Sequence, residues 1–538
     1  MHRASCDDPR STISASVYLS GSWDYMDYNN DGTSKCISMV DKIAAYNVTT
    51  VQFVPTFHWW DVGPLVGADT FDLSSCTQTE DLGTYYCYNR FNATTVDYWC
   101  YDIVDGVCQK PTTESMAALI SNFGGCMQHA VDLGLDITLN VHVDDGRQLG
   151  GWRNTLDFDP LEWYGGTSYL ESVLYPLVDA LASAVRADSA VSIVLQGEMG
   201  ATVFMHPESW LEVKTLVEKR ISDARSDLDM SKVLVGLGLN NNKLCGCIDI
   251  GQTDGTKYLA SFASNFEAVE SQFDLSAIQD LFLAYDFVGI SAYVPMTNTT
   301  PVPCEFEGLM IRLDYEFSYY GLTLRDLSNN HDKGIQWIEF GIGGGYSQAG
   351  IQPAPNASWA AYYPFFGVAN TYSCDLDPFD GCNPDQDNEI RDYRRTYYSV
   401  AAEYLASGGC SYRVSEVYNW NLQSWDPQNI YPVNFASTED EQRNPTAFKD
   451  TVIVDLINAH NINVTSGSLV CSQSLDDGSV LIASSIDDGT AEDVAADTDL
   501  DDSTNKNSPQ NLLATIQSIP GIKDFVAQRV LEIEGVSV

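Results

Sequence analysis

Eight apolar, β-branched runs of strand length recur along the chain, and most are separated by stretches long enough to hold a helix. Parallel strands need such crossovers. Between the runs, apolar residues recur at spacings of three and four, as on one face of a helix. Eight β/α units fit a (β/α)8 barrel, also called a TIM barrel. The predicted strands are 13–19, 49–57, 136–143, 191–196, 232–239, 287–294, 335–340 and 414–420.

Three segments depart from this rhythm. Residues 61–113 are rich in Cys, Tyr and Thr, which predicts a disulfide-pinned insertion over the barrel mouth. Residues 466–507 carry repeated Asp and Glu with few large apolar side chains, as a solvated linker does. Residues 508–538 regain apolar periodicity and predict a helical hairpin that associates with a neighbouring copy. We therefore expect the barrel domain to span 1–465.

The charge of the chain excludes some partners. Lys and Arg number 28 against 74 Asp and Glu, which gives a formal net charge of -46. Such a chain repels phosphate backbones and anionic membrane surfaces, so we expect no nucleic-acid partner. No apolar run reaches the length of a membrane-spanning helix, so we expect no membrane insertion.

Cysteines and glycosylation sequons predict secretion to the extracellular space. The 14 cysteines are even in number, which favours full pairing in an oxidising compartment. Cys374 and Cys382 bracket a short segment that resembles a small disulfide-closed loop. Five Asn-x-Ser/Thr sequons agree with a secretory route. They lie at Asn47, Asn92, Asn298, Asn356 and Asn463.

No pattern typical of a metal or cofactor site is found in the sequence. Cys245-Gly-Cys247 is too tightly spaced for a usual zinc knuckle. Residues 27–32 match the first half of an EF-hand calcium loop, but position twelve is Ser38 and not Glu. A GxSxG elbow, a phosphate-binding glycine loop and an HExxH helix are all absent from the sequence. We therefore expect neither a cofactor nor a metal.

Two glutamates predict a paired-carboxylate active site. Glu198 and Glu339 each end a short apolar run. Because a carboxylate is costly inside an apolar strand, each should lie where its strand emerges at a pocket. Glycoside hydrolysis uses such a pair: one carboxylic acid protonates the leaving oxygen, and the other carboxylate attacks the sugar or activates water.

Other side chains near predicted strand ends are suited to sugar binding. Aromatic faces stack on sugar rings, while His and Asn form oriented hydrogen bonds with hydroxyls. We expect Asp144 and Asp145 to be either a solvated loop or ion-pair partners of Arg147 and Arg153. The candidate substrate-binding residues are His58, Trp59, His142, Tyr293, Asn419 and Trp420.

With these residues the chain resembles retaining glycoside hydrolases of clan A, which are (β/α)8 barrels. The resemblance covers about residues 13–435, and segments 289–295 and 338–341 are most similar to β-mannanase-type members. It implies that Glu198 is the acid/base and Glu339 the nucleophile. It also implies that Tyr293 hydrogen-bonds the nucleophile and that Trp420 is the floor of the subsite for the attacked sugar.

One position departs from the clan pattern. Clan members usually carry Asn directly before the acid/base, where it contacts the sugar 2-hydroxyl, whereas this chain has Gly197. If the site is active, Asn419 or His142 is expected to supply that contact.

The leading interpretation is a secreted retaining endo-β-glycosidase that acts on a β-1,4-linked polysaccharide such as mannan. One alternative is a catalytically inactive glycosylated barrel that serves as a structural subunit of an extracellular fibre or cell-surface assembly. Gly197, the cysteine-rich insertion and the tethered terminal segment favour it. A lectin-like barrel that binds polysaccharide without turnover is a third.

Overall fold

The computed structural model describes most of the predicted barrel domain. Residues 62–94, which include Asn92, lie outside the described residues, as do Cys374, Cys382, most of the linker 466–507 and the whole of 508–538. The proposed domain boundaries and the self-association of the terminal segment therefore stay predictions. The described residues are 10–27, 31–61, 95–147, 151–241, 243–248, 255–342, 356–362, 364–365, 389–420, 427–428, 430 and 450–467.

The described strands match the predicted pattern closely. The third predicted run is divided at Val141 into two short strands. The strands are β1 (Ile13–Leu19), β2 (Thr50–Trp60), β3 (Tyr98–Cys100), β4 (Asp102–Val104), β5 (Val107–Gln109), β6 (Asp136–Asn140), β7 (His142–Asp145), β8 (Val191–Val194), β9 (Val233–Leu239), β10 (Phe287–Ala292), β11 (Gly334–Phe340) and β12 (Val414–Asn419).

Eight of these strands form a closed parallel barrel. The ring runs β1, β2, β6, β8, β9, β10, β11 and β12, and β12 pairs with β1 to close it. The predicted (β/α)8 fold is therefore confirmed. Parallel strands bring all their carboxyl ends to one face of the barrel, which is where barrel enzymes carry their sites.

Helices surround the barrel. A π-helical turn, Leu170–Leu174, leads directly into α3. The described helices are α1 (Lys35–Ala44), α2 (Thr113–Asp132), α3 (Tyr175–Ala184), α4 (Gly200–Met205), α5 (Pro207–Ala224), α6 (Gly255–Val269), α7 (Leu275–Ala284), α8 (Gly308–Tyr319), α9 (Leu324–His331), α10 (Ala357–Tyr362), α11 (Glu389–Ser407) and α12 (Thr451–Thr465).

Local sequence sets where several helices begin. The Ser34 side chain accepts a hydrogen bond from the amide of Ile37 at the start of α1. Thr112 and Ser115 form a reciprocal capping box at the start of α2. Asp450 caps α12. Each cap satisfies amides that have no partner within the helix, which stabilises a helix by about 1 kcal/mol.

Polar side chains fill part of the barrel interior towards its amino-terminal end. The hydroxyls of Thr138 and Tyr418 lie 2.6 Å apart. Thr50 donates a hydrogen bond of 3.3 Å to Glu416. Burial raises the pKa of Glu416 to about 7. Because these bonds join different strands, they hold the register of the barrel from within.

Part of the cysteine-rich insertion lies at the barrel mouth. Strand β3 pairs antiparallel with β2, and β4 and β5 form a hairpin next to it. The disulfide between Cys100 and Cys108 joins β3 to this hairpin. The described part of the insertion is therefore pinned by a disulfide, as predicted.

The eight described cysteines are all paired with one another. Full pairing was expected for an oxidising compartment, and it holds for this part of the chain. The pairs are Cys36–Cys126, Cys100–Cys108, Cys245–Cys247 and Cys304–Cys410.

The sequon asparagines that the structure describes are all exposed: Asn47, Asn298, Asn356 and Asn463. Exposure is compatible with glycosylation, which stays a prediction. Among the described helices, none combines the length and the apolar character needed to cross a lipid bilayer.

Asn461 of α12 provides a test of how the barrel is fastened. Its fully buried amide accepts from the Ile13 amide at 2.8 Å and donates to the Ile13 and Tyr46 carbonyls. We expect Asn461→Ala to lower the free energy of unfolding by about 2–4 kcal/mol, because it leaves buried backbone groups of β1 unpaired. The free energy of unfolding is measured with denaturant on protein produced without N-glycosylation. Asn463→Ala, at an exposed position, is the control. Equal stability of both variants would contradict the prediction.

Candidate active site

Glu198 lies just beyond β8, on the loop that leaves the fourth barrel strand. Its backbone is left-handed, with a φ of 60°, which is unusual for a residue other than glycine. Its amide donates to the Gly238 carbonyl at 3.0 Å, so pairing with β9 continues to this point. The next amide, that of Met199, donates to the Gln196 side chain at 2.6 Å. These bonds hold Glu198 in a strained conformation of the kind that clusters at functional sites.

Glu339 faces the barrel interior because of an irregularity in β11. Ile290 pairs with Trp337, but Ser291 pairs with Glu339, so Ile338 is an extra residue in the ladder. Ile338 itself points inward, where it packs on Val194 and Phe287. If side chains simply alternated along β11, the next one, Glu339, would point outward. A bulge re-aims side chains in this way and is common beside active sites.

Two side chains contact the Glu339 carboxylate. Tyr293 donates a hydrogen bond of 2.9 Å to Oε2, which is the contact that the clan resemblance implies. Nε2 of His142 lies 3.2 Å from Oε1, although the angles fall outside hydrogen-bond geometry. The carboxylate is only 3% exposed. Both contacts lie within the barrel mouth, at the carboxyl ends of the strands.

Arg153 connects the two glutamates, and sequence reasoning recognised it only as an ion-pair partner. Its Nε lies 3.7 Å from Oε2 of Glu198, and its Nη1 lies 3.0 Å from Asp144 and 2.9 Å from Nδ1 of His142. Burial would lower the pKa of Arg153, but Asp144 and the glutamates outweigh this effect and keep the guanidinium charged. Arg147 lies 3.7 Å from Asp145, so the ion-pair expectation for these residues also holds.

His142 is neutral, and its tautomer follows from its neighbours. Burial and the positive charge of Arg153 lower the pKa of His142 to about 3. Since a guanidinium can only donate, Nδ1 accepts from Arg153 and Nε2 carries the proton. The protonated Nε2 therefore lies 3.2 Å from Oε1 of Glu339, without a hydrogen bond between them.

The pKa values of both glutamates are raised. Burial raises the pKa of Glu198, the negative charge of Glu339 raises it further, and Arg153 opposes the rise. Burial raises the pKa of Glu339 to about 7, although Arg153 and the hydrogen bond from Tyr293 lower it. With Glu339 ionised, its charge favours the protonated form of Glu198. Two carboxyl groups with different surroundings can divide acid and nucleophile roles in this way.

Asn240 is a site residue that the sequence reasoning missed. Its side-chain amide donates to Oε1 of Glu198 at 2.8 Å. It follows directly after β9, so a systematic reading of the residue after each predicted strand would have found it. Asn140, the last residue of β6, would not have been found by this rule, because it lies inside the predicted run 136–143.

Trp420 lies beside His142 at the end of β12. The two rings stack with centroids 5.3 Å apart, and Trp420 also packs on Tyr18 and Tyr293. Only 7% of Trp420 is exposed. Only a small part of Trp420 is thus available to a ligand, and most of the side chain is packed in the wall of the mouth.

Three candidate substrate-binding residues lie further from solvent than expected. Trp59 is wholly buried in the main core, and its role as a substrate contact stays a prediction. Asn419 is also wholly buried, and it is bonded to Tyr398 and Gln428. His58 is buried near Asp144, and its pKa is lowered by burial.

In the part of the chain that the structure describes, no three His, Cys, Asp or Glu side chains converge as metal ligands do. What the described residues do bring together are two glutamates, one guanidinium, one neutral imidazole and a phenol. This set can move a proton at one carboxyl group and stabilise charge on the other.

No protein-family model and no curated protein sequence matches this chain. Among solved structures it is similar to a glycoside hydrolase family 113 β-mannanase from Alicyclobacillus acidocaldarius, with 13% identity, a TM-score of 0.37, and coverage of 86% of this chain and 100% of that chain. It is also similar to a family 5 mannosidase from Rhizomucor miehei, with 12% identity, a TM-score of 0.39, and coverage of 86% and 96%. Such low scores carry no argument about activity, and the barrel rests on the strand pairing above.

The raised pKa of Glu339 predicts a pH-dependent stability difference. The protonated form stabilises the fold at pH values below the ordinary value of 4.5, and this contribution is lost as the pH rises through about 7. Glu339→Gln should therefore gain about 3 kcal/mol relative to the wild type between pH 4.5 and pH 8. Denaturant unfolding at both pH values measures the difference. Exposed Glu403→Gln is the control, and a pH-independent difference for Glu339→Gln would contradict the assignment.

Proposed function

We propose that this chain is a secreted retaining endo-β-glycosidase that hydrolyses a β-1,4-linked polysaccharide, mannan or a related glycan, by double displacement. The observation that carries the proposal is the pair of buried glutamates beyond the fourth strand and on the seventh strand of the barrel, joined through Arg153 and His142. Desolvation costs each carboxyl group several kcal/mol, so two of them buried at the mouth around one cation favour a functional role.

In the first step Glu198 acts as the acid and Glu339 as the nucleophile. The Glu198 carboxyl proton passes to the glycosidic oxygen while a Glu339 carboxylate oxygen attacks the anomeric carbon. The bond from that carbon to the leaving oxygen breaks, and a covalent glycosyl ester forms on Glu339. Tyr293, through its hydrogen bond to Oε2, orients the attacking carboxylate.

In the second step Glu198 acts as a base. Its carboxylate takes a proton from a water molecule, and the water oxygen attacks the anomeric carbon, which releases Glu339 as a carboxylate. The charge of Arg153, 3.7 Å from Glu198, favours the carboxylate form that this step needs. Asn240 holds the other oxygen of Glu198 throughout.

Several features support the substrate class and the location. Trp420, beside His142 and 7% exposed, is an aromatic side chain of the kind that packs on the apolar face of a sugar ring. Preference for a β-1,4-linked glycan such as mannan, and internal cleavage, rest on the clan resemblance of segments 289–295 and 338–341. Secretion to the extracellular space is supported by the four disulfides and by the exposed sequon asparagines.

One observation favours the alternative of a non-catalytic structural barrel. Glu339 is 3% exposed and Trp420 is 7% exposed, so little of the site surface meets solvent. A barrel recruited into an extracellular fibre or cell-surface assembly has no need of an open cleft. Turnover decides between the two functions.

Hydrolysis of a panel of β-mannan, β-glucan, xylan and chitin oligosaccharides tests the enzyme proposal. We expect the wild type to release sugars with retention of anomeric configuration, observed by proton NMR. Glu198→Gln and Glu339→Gln should each lose at least a thousandfold in kcat, because each removes one half of the carboxylate pair.

Glu416→Gln is the matched control for this experiment, since Glu416 is a buried carboxyl group at the other end of the barrel whose pKa is also raised to about 7. Its activity should stay close to that of the wild type. Absence of turnover on the whole panel would overturn the enzyme proposal and leave the structural barrel. Inversion of configuration would overturn the double displacement alone.

The pH dependence of kcat/KM follows from the pKa of Glu339. Only the ionised carboxylate attacks, so kcat/KM should rise as the pH increases through about 7. Tyr293→Phe removes a hydrogen bond that lowers the pKa of Glu339. The rise of kcat/KM with pH should therefore occur at higher pH in this variant. If kcat/KM rises at the same pH in this variant as in the wild type, Glu339 is not the group whose ionisation causes the rise.

A further inference from the structure

The glycine before Glu198 leaves a space that another side chain occupies. An ideal Cβ on Gly197 would lie 2.4 Å from Cδ2 and 2.6 Å from Nε2 of His142, and 3.2 Å from Oδ1 of Asn140. The first two distances are shorter than any real contact of a Cβ atom. A side chain at position 197 and the imidazole of His142 are therefore mutually exclusive.

Polar atoms around this space have no partner of their own. Among the described residues, Nε2 of His142, Oε1 of Glu339 and both amide atoms of Asn140 make no hydrogen bond. All three residues are almost fully buried. A buried polar group without a partner costs about 1–3 kcal/mol. Several such groups at one place therefore require an explanation.

Their chemistry fits one ligand group. Nδ1 of His142 is occupied by Arg153, so the imidazole offers a fixed Nε2–H donor. Oε1 of Glu339, 3.2 Å from that nitrogen, offers an acceptor. A hydroxyl group both accepts and donates, so one hydroxyl can satisfy both atoms. Next to the nucleophile, the sugar hydroxyl that meets this description is the one adjacent to the anomeric carbon.

We propose that His142, held by Arg153 in the space that Gly197 leaves open, takes the place of the amide side chain that Gly197 lacks and binds the sugar 2-hydroxyl together with Glu339. Asn419, the other residue considered for this contact, is already bonded to Tyr398 and Gln428 beneath the site. The inference rests on the proposed glycosidase function. His142 would then make the enzyme selective for the configuration at C2, the carbon next to the anomeric carbon.

A substrate pair tests the hydroxyl contact. One substrate is an aryl β-oligosaccharide of the sugar that the wild type cleaves best, and the other lacks only the 2-hydroxyl of the attacked sugar. We expect His142→Ala to lose roughly ten- to a hundredfold in kcat/KM on the first substrate and much less on the second. His142→Gln, which restores an N–H donor, should recover part of the loss, whereas Arg153→Lys should lower activity on the first substrate more than on the second.

The outcomes separate the two proposals. If the wild type cleaves neither substrate nor any member of the panel, the proposed function fails, and this inference falls with it. If the wild type is active but His142→Ala loses the same factor on both substrates, the imidazole has only a structural role and the inference alone fails.

The steric conflict between a side chain at position 197 and the His142 ring gives a second test, which does not require enzyme activity. Gly197→Ala should lower the melting temperature because the new methyl group meets the imidazole, and adding His142→Ala should restore most of the loss. Gly236→Ala is the matched control, because its Cβ would meet the Phe287 ring at 2.3 Å on another part of the barrel. His142→Ala should not rescue that variant. Equal effects of His142→Ala in both backgrounds would show that positions 142 and 197 are not coupled.

Discussion

The positive charge of the half-buried Arg153 is the interaction on which the candidate site depends. Asp144, Glu198 and Glu339 lie around it, and the two buried glutamates would be strongly destabilising without a nearby cation. Burial would raise the pKa of Asp144, but Arg153 outweighs this effect and holds it below its ordinary value. Burial together with the same cation keeps His142 neutral, and the hydrogen bond from Arg153 fixes its tautomer. One guanidinium therefore sets the charge and the proton positions of its neighbours.

The barrel supplies the geometry that lets one cation reach so many groups. Parallel strands end at one face, so residues from the third, fourth, sixth, seventh and eighth barrel strands or their following loops converge there although they are distant in sequence. Two local departures from ideal structure complete the arrangement. They are the left-handed backbone at Glu198 and the extra residue at Ile338, which turns Glu339 inward.

Much of this could be predicted from sequence, because hydrophobic periodicity depends on short-range spacing. The eight strands were expected within a few residues of their observed bounds, and Glu198, Glu339 and Tyr293 were expected at strand ends. Arg153, Asn240 and Asn140 were not expected as site residues. Arg153 comes from a loop whose path no spacing encodes. The direction of the Trp59 side chain could not be predicted, because a strand residue near the mouth can face either the site or the surrounding layer.

The sequence by itself determined the barrel class and the two carboxylates at strand ends, because apolar runs of fixed length must be buried and a carboxylate must lie where burial ends. Only the tertiary structure decided what those carboxylates contact. From the sequence, Gly197 could mean either that a sugar contact is absent or that another side chain needs the room. The position of the His142 ring shows that the room is needed. That position is set by packing against Trp420 and a hydrogen bond from Arg153, and such contacts arise only once distant loops meet.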